Sequence, residues 1–374
     1  MLPLFPITLA AAALFAPAVA GAAEPQARAL QPLMAAEVAA GAPGVTAYVD
    51  DGHRVWQGAA GVADVRTGRR LRPTDRFRAG SNTKSMVSTV VLQLVGEHRL
   101  ALTDTVARRL GPVLPYANRV TVRNLLNHTS GIPDNATPPA VELFKGDPFR
   151  RWRPEELVAL VADLPQEFPA GSAWNYSNTN YTLLGMMVER STGHTLAQEV
   201  ERRILRPLGL RDSSMPLHEP TPSGSFARGY SLDYDDEYNQ IPETLRDVTA
   251  HDSSGYFAAG NLVTTEADLA RFFRALLSGR LLSPALLAEM KTTVPTSYGP
   301  GIRYGLGLFF FDDTPCGTLI GHGGGMPGYE NQFASTPDGR HQVGIMRNYE
   351  EAPDAVTEAQ GTLWSKAMEL ACAA

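Results

Sequence analysis

The sequence predicts an α/β protein of the α+β kind: an antiparallel sheet flanked by helices, joined to an all-helical domain. Three observations point there. Strand-like alternation sits at both ends of the chain, the middle is proline-rich with short helical patterns, and no internal repeat or low-complexity linker separates them. One sheet built from both termini, with helices inserted between, lets each apolar face find a partner. The pattern places a discontinuous sheet domain at 24–100 and 255–374, and the all-helical domain at 101–254.

The elements follow in order. Gly44 to Asp50 alternates, with Val45, Ala47 and Val49 on one face; Asp51-Gly52 turns the chain, and Val55 to Ala59 returns as a second strand. From Ser85 the period becomes helical, with Met86, Val87, Val90, Val91, Leu94 and Val95 on one side. Helical patterns recur at Pro154 to Leu164, Leu183 to Arg190, Glu199 to Ile204 and Glu266 to Leu277. Strand patterns recur at Tyr304 to Phe310, Thr318 to Gly321, Tyr329 to Ser335 and Val343 to Arg347. Pro337-Asp338-Gly339 is a turn between the last two strands, and Val356 to Leu370 is a final helix.

Bulk properties narrow the function. The chain has 374 residues, 44% hydrophobic and 19% charged, ordinary for a globular protein with a sizeable core. A net charge of −6 argues against nucleic acid as a partner, because phosphate binding wants a basic face. The apolar, alanine-rich stretch Leu2 to Ala20 reads as a secretory signal. Ala18-Val19-Ala20 and Ala20-Gly21-Ala22 are cleavage candidates, although no Lys or Arg precedes the apolar run. A membrane anchor is the other reading, disfavoured by Pro3, Pro6 and Pro17. A secreted or periplasmic protein with no membrane span is therefore expected. Its two cysteines, Cys316 and Cys372, are then either a disulfide or two buried thiols. No Cys/His cluster has metal spacing, so neither a metal nor another cofactor is expected.

Three motifs carry chemistry. Ser81-Asn82-Thr83-Lys84 stands where an extended segment turns into a helix. A serine there meets free backbone N–H groups, and Lys84 falls on the same helix face. A desolvated ammonium beside a hydroxyl can act as its base. Alone the motif is weak, since Ser-x-x-Lys is expected about once by chance in such a chain. Tyr176-Ser177-Asn178 is the second: a phenol beside a lysine can have its pKa lowered and accept a serine proton, and the Asn amide can bond both lysine and substrate. Tyr116-Ala117-Asn118 has the same pattern but reads as a surface turn. The third is His322-Gly323-Gly324-Gly325, where a glycine run after a strand lets a ligand approach the backbone, and His322 can serve as cation or donor. Gly323, Gly325 and Gly328 also match a dinucleotide-binding glycine pattern, but Pro327 interrupts it and no βαβ unit surrounds it.

In this order the motifs resemble those of the serine β-lactamase and penicillin-binding DD-peptidase superfamily. The resemblance runs along nearly the whole chain after the signal, through Leu125 to Ile132, Pro169-Ala170-Gly171, Ala259 to Leu262 and Tyr304 to Gly307. It is nearest to the branch of class C β-lactamases, secreted D-alanyl-D-alanine carboxypeptidases and related esterases. The two late cysteines are similar to those of the secreted carboxypeptidases. The resemblance implies that Ser81 is acylated, that Lys84 and Tyr176 share the proton transfers, and that Asn178 holds substrate. It implies that His322 stands where most relatives have the lysine of Lys-Thr-Gly. Gly323 and Gly324 then line the substrate strand, and the Ser81 and Gly325 N–H groups form the oxyanion hole. The implied substrates are small molecules or peptides: a peptidoglycan stem peptide, a β-lactam or an ester.

One feature departs from the carboxypeptidases. The Thr and Arg that hold a free substrate carboxylate there are Gly323 and Phe309 here. Arg303 is a substitute only if the backbone rearranges, because six residues of continuous strand span about 20 Å. The expected function is thus a serine hydrolase with D-alanyl-D-alanine carboxypeptidase or related peptidase activity. Alternatives are an esterase or D-amino-acid amidase or aminopeptidase of the same fold, and a non-catalytic penicillin-binding sensor.

Overall fold

The computed structural model describes residues 25–136, 146–234, 240–350 and 354–373. The signal-like segment lies outside them. Strands β1 (Gly44–Asp51) and β2 (Val55–Asp64) form the expected first hairpin, with β3 (Arg69–Arg70) at its edge. β4 (Phe77–Arg78), β5 (Tyr230–Tyr234), β6 (Gln240–Asp247), β7 (Val263–Thr264) and β8 (Val294–Pro295) are followed by β9 (Ile302–Tyr304) and β10 (Phe309–Thr314). Then come β11 (Gly317–Met326), β12 (Tyr329–Ser335) and β13 (His341–Arg347). Among the described residues nine strands make one antiparallel sheet, in the order β3-β2-β1-β13-β12-β11-β10-β9-β8. β1 pairs with β13, Val45 opposite Arg347 and Asp51 opposite His341, so the two ends of the chain meet in mid-sheet as the alternation predicts.

The period-2 pattern sorts the two faces. Val45, Ala47 and Val49 pack with Leu319, Ala334, Val343 and Ile345 under the terminal helices α1 (Pro25–Ala39) and α5 (Asp354–Cys372). Tyr48 and Phe333 face the other way, into the core that holds α2 (Thr83–Gly96), α3 (Asn178–Thr192) and α4 (Glu266–Leu277). The apolar stripe of α2 is buried on nearly all sides, so this helix forms the axis of the inner core. α1 was not legible as a helix, because Pro32 lies within it. Leu30 and Met34 hold it down, with a buried ion pair from Arg347 Nε to Glu37 at 2.6 Å.

Two expectations are corrected. Tyr304 to Phe310 is not one strand: β9 and β10 form a hairpin, with Gly305 N–H donating to Leu308 O at 2.8 Å. Gly307 makes this possible, since its φ is +87° and a Cβ there would lie 2.1 Å from Ser88 Oγ. The segment 101–254, expected to be all-helical, also contains the β5–β6 hairpin. β5 alternates Tyr230, Leu232 and Tyr234 with Ser231 and Asp233 but is only five residues long, and β6 carries Pro242 and no regular apolar alternation.

Cys316, in the β10–β11 turn, is bonded to Cys372 at the end of α5. The bridge spans 56 residues of sequence, and the chain-entropy model gives such a loop roughly 4 kcal/mol. Replacing both cysteines by serine should lower the denaturant midpoint without unfolding the core. Thiol titration of the denatured, unreduced protein should find no free thiol.

Candidate active site

The loop that carries Ser81 is assembled from remote segments. β4 pairs with β7, Ala79 N–H donates to Leu262 O, and Gly80 bridges to Asn261. Gly80 then turns the chain with φ +50°, and α2 begins three residues later. Thr83 fixes the turn. Its hydroxyl donates to Gly80 O at 2.6 Å and accepts from Leu262 N–H at 3.0 Å. Ser81 is left half-buried, while every residue from Asn82 to Leu92 is buried.

Lys84 lies one turn on and is wholly buried. Its Nζ donates to Ser81 Oγ (2.9 Å), Asn178 Oδ1 (2.8 Å) and Ala259 O (2.7 Å). Burial disfavours the ammonium and pushes its pKa down to about 7, with the Asp134 carboxylate working the other way. Asp134 was not singled out in the sequence. It accepts from the Asn178 backbone N–H (2.9 Å) and from Asn178 Nδ2 (3.1 Å). One carboxylate thus anchors the start of α3 and turns the Asn178 amide oxygen toward Lys84. A Pro-Asp-Asn run directly after the Ser-Gly-Ile turn, inviting an Asx turn, is the signal that could have drawn attention to it.

Tyr176 comes from the loop before α3, and Lys84 Nζ lies 4.9 Å from its ring centre. The phenol is buried with no hydrogen-bond partner of good geometry, although the Ser81 hydroxyl is near enough to favour its ionised form. Burial wins and pushes the phenol well above its ordinary value, contrary to the lowering expected beside a lysine. Beneath it, the His128 ring is 4.3 Å from the Tyr176 ring. His128 Nδ1 accepts from Ser177 N–H and Asn180 Nδ2, both at 3.2 Å, so the loop carrying Tyr176 hangs on this imidazole. Burial and then the Lys84 charge hold His128 well below its usual range, as a neutral acceptor.

The glycine strand closes the opposite side. A Cβ on Gly324 would lie 2.0 Å from Ala79 O and 2.8 Å from Ser81 N, and one on Gly80 would lie 2.5 Å from Gly325 O. Glycine at both positions lets β11 touch the Ser81 loop backbone to backbone. His322 is buried behind this edge. Burial, then Lys84, pushes its pKa down to about 3, so it is a donor here and not a cation. Phe309 stacks on Tyr176 (6.4 Å between ring centres, 11° between planes) and meets His322 edge to face at 5.0 Å.

Arg303 is no substitute cation. The hairpin brings it opposite Phe310, adjacent to Phe309 and not a long strand away, but its guanidinium is held bidentately by Asp312 and by Thr293. Tyr116-Ala117-Asn118 lies elsewhere. It is a turn as expected, with Asn118 exposed, but Tyr116 packs inward into the core. Ser81, Lys84, Tyr176, Asn178, His322 and the three glycines form one constellation; Cys316 and Cys372 stand apart as a structural bridge.

A serine hydrogen-bonded to a buried lysine, with a protonated phenol and a glycine strand edge around it, defines a serine acyl-transfer site. Residues 27–363 match the family model described as Beta-lactamase, and the chain belongs to this family of serine hydrolases. It is similar to a D-stereospecific amidohydrolase from Streptomyces sp., with TM-score 0.80 and 37% identity over 90% of this chain and 98% of that one. It is also similar to the D-amino acid amidase of Ochrobactrum anthropi SV3 in complex with D-phenylalanine (TM-score 0.76, 27% identity, 90% and 98% covered). Among curated relatives, penicillin-binding protein 4 of Amycolatopsis lactamdurans is 30% identical over 313 residues, 78% of this chain and 76% of the relative.

The Lys84 environment gives a pH signature. If neutral Lys84 removes the Ser81 proton, kcat/KM for a chromogenic ester should rise with pH through about 7. Asp134→Asn removes the charge that favours the ammonium, so the rising limb should move to lower pH. A limb that stays or moves up would break the link between Asp134 and Lys84.

Proposed function

We propose that the protein hydrolyses amides or esters with an uncharged leaving group through an acyl-enzyme on Ser81. The observation that carries this reading is the 2.9 Å hydrogen bond between Ser81 Oγ and a wholly buried Lys84 whose pKa lies near neutrality. Neutral Lys84 takes the hydroxyl proton as Oγ adds to the substrate carbonyl. The oxyanion is met by the N–H groups of Ser81 and Gly325, which the contact between β11 and the nucleophile loop supports as neighbours. The C–N or C–O bond then breaks, and the Tyr176 phenol protonates the leaving group, regaining its proton from Lys84. Water releases the acid by the reverse sequence.

The leaving-group preference rests on Phe309 and Arg303. A desolvated carboxylate needs a paired cation or several donors. Where the carboxypeptidases hold arginine, this chain packs Phe309 against Tyr176, and Arg303 is committed to Asp312. This weighs against carboxypeptidase activity on a free D-alanyl-D-alanine terminus, the function first expected from the resemblance.

A second reading, amide hydrolysis of D-amino acids with a free amine, draws support from Asp134. It is a half-exposed carboxylate beside Asn178, and its charge is felt by Lys84, Tyr176 and Tyr298. Such a group suits a substrate ammonium. The solved relatives named for D-stereospecific amide chemistry point the same way. Export is also part of the proposal, and the Cys316–Cys372 bridge supports an oxidising compartment.

Ser81→Ala should lose turnover and labelling by a fluorophosphonate, whereas wild type labels at Ser81; label on another serine would overturn the assignment. kcat/KM should favour a D-amino-acid amide over the matching D-alanyl-D-alanine free acid by about tenfold or more, the scale of one lost charged contact. A preference for the free acid would restore the carboxypeptidase reading.

A further inference from the structure

His322 lies inside the sheet, 1% exposed, opposite Phe333 on β12. Its Nδ1 is 2.5 Å from the carbonyl oxygen of Gly323, and its Nε2 is 3.1 Å from the hydroxyl of Tyr304. A carbonyl only accepts, so Nδ1 carries the proton. The ring is buried and close enough to Lys84 for that charge to oppose a second proton, so Nε2 is an acceptor facing the Tyr304 hydroxyl, whose other neighbour is the Tyr181 hydroxyl. This tautomer follows from the two contacts. The opposite one would set a lone pair against the Gly323 oxygen, which has no proton to offer.

The consequence lies in the next three residues. Gly323, Gly324 and Gly325 are paired on one edge only, with Gln332, Asn331 and Glu330 of β12, because β10 pairs with β11 no further than Gly321, and they have no side chains to hold the free edge. Yet this stretch must touch Ala79, Gly80 and Ser81 closely enough that a single Cβ would collide. The His322 Nδ1–H bond to Gly323 O holds the Gly323–Gly324 peptide in one orientation, one peptide before the N–H of Gly325. Tyr304, fully buried on β9 and packed edge to face on Phe309 at 4.5 Å, is a rigid post for that hydroxyl.

We propose that Tyr304 is a positioning residue for the oxyanion hole: its hydroxyl fixes the His322 tautomer, and His322 in turn fixes the glycine backbone that presents the Gly325 N–H. The role of His322 is then that of a neutral clamp, not of a charge beside the substrate. The proposal rests on Ser81 being the acylated nucleophile.

The test is Tyr304→Phe, which keeps the ring packing and removes only the oxygen. Nitrogen NMR of labelled histidine should show His322 as the Nδ1–H form in wild type at neutral pH, and as a mixture of tautomers in the variant. kcat on a chromogenic ester should fall by up to about 100-fold, the scale of a misplaced reacting group, with KM within about twofold. His322→Asn keeps an amide donor at the Nδ1 position and needs no help from Tyr304. Adding Tyr304→Phe to it should therefore cost little more, an interaction a purely structural tyrosine would not show. An imidazolium or an Nε2–H tautomer in wild type would overturn the proposal, as would an unchanged kcat in Tyr304→Phe or additive losses in the double variant. The NMR reading needs no turnover, so it stands or falls apart from the Ser81 assignment, which labelling of Ser81→Ala decides.

Discussion

The arrangement of the site depends on the desolvation of one ammonium group. Lys84 Nζ is out of contact with water and has three hydrogens to place. It places them on Ser81 from the loop before α2, on Asn178 from the first turn of α3, and on Ala259 from the short helix Phe257–Gly260. A buried charge left short of a partner is strongly destabilising. The three segments are therefore fixed relative to one another by a single atom. The same constraint makes the lysine reactive, because the burial that demands three acceptors also brings its proton affinity down toward neutrality.

The surroundings of that ammonium are unusually aromatic. His128, Trp174, Tyr176, Tyr304, Phe309 and His322 are linked by ring contacts between 4.3 and 6.4 Å. Such a wall offers little solvation to charge. Both imidazoles are held neutral and the phenols are held protonated. The ionisable groups therefore take distinct parts. Burial brings Lys84 down to about 7 and holds the proton on Tyr176, and Asp134 anchors the Asn178 amide beside them. Two carbonyl-bearing backbones, β11 and the Ser81 loop, supply the polar edge without adding another titrating group.

Several parts of the protein were written locally and could be read so. The alternation of Val45, Ala47 and Val49, the helical stripe from Met86 to Leu94, and the strand Tyr329–Ser335 appear where their patterns place them. Ser81 and Lys84 face each other because residues three apart on a helix turn must. The joining of the chain ends in one sheet follows from strand patterns at both termini. The elements that were misread are those whose pattern is overridden by tertiary contact. α1 carries an internal proline but is held by packing and by the Glu37–Arg347 pair. The run from Tyr304 to Phe310 reads as a strand but is bent by Gly305 and Gly307 against α2.

The sequence by itself determined which chemical groups are present and which of them share an element: a serine and lysine one turn apart, a phenol and an amide two residues apart, and a glycine run beside a histidine. Only the tertiary structure decided their states. It made Asp134 the partner of Asn178, committed Arg303 to Asp312, and set His322 between Tyr304 and Gly323. The physical reason is that ionisation and tautomer depend on desolvation and on neighbours within a few ångströms, and these come from segments far apart in the chain. Spacing along a helix or strand reports contacts within that element, and it is silent about what the fold brings to its other side.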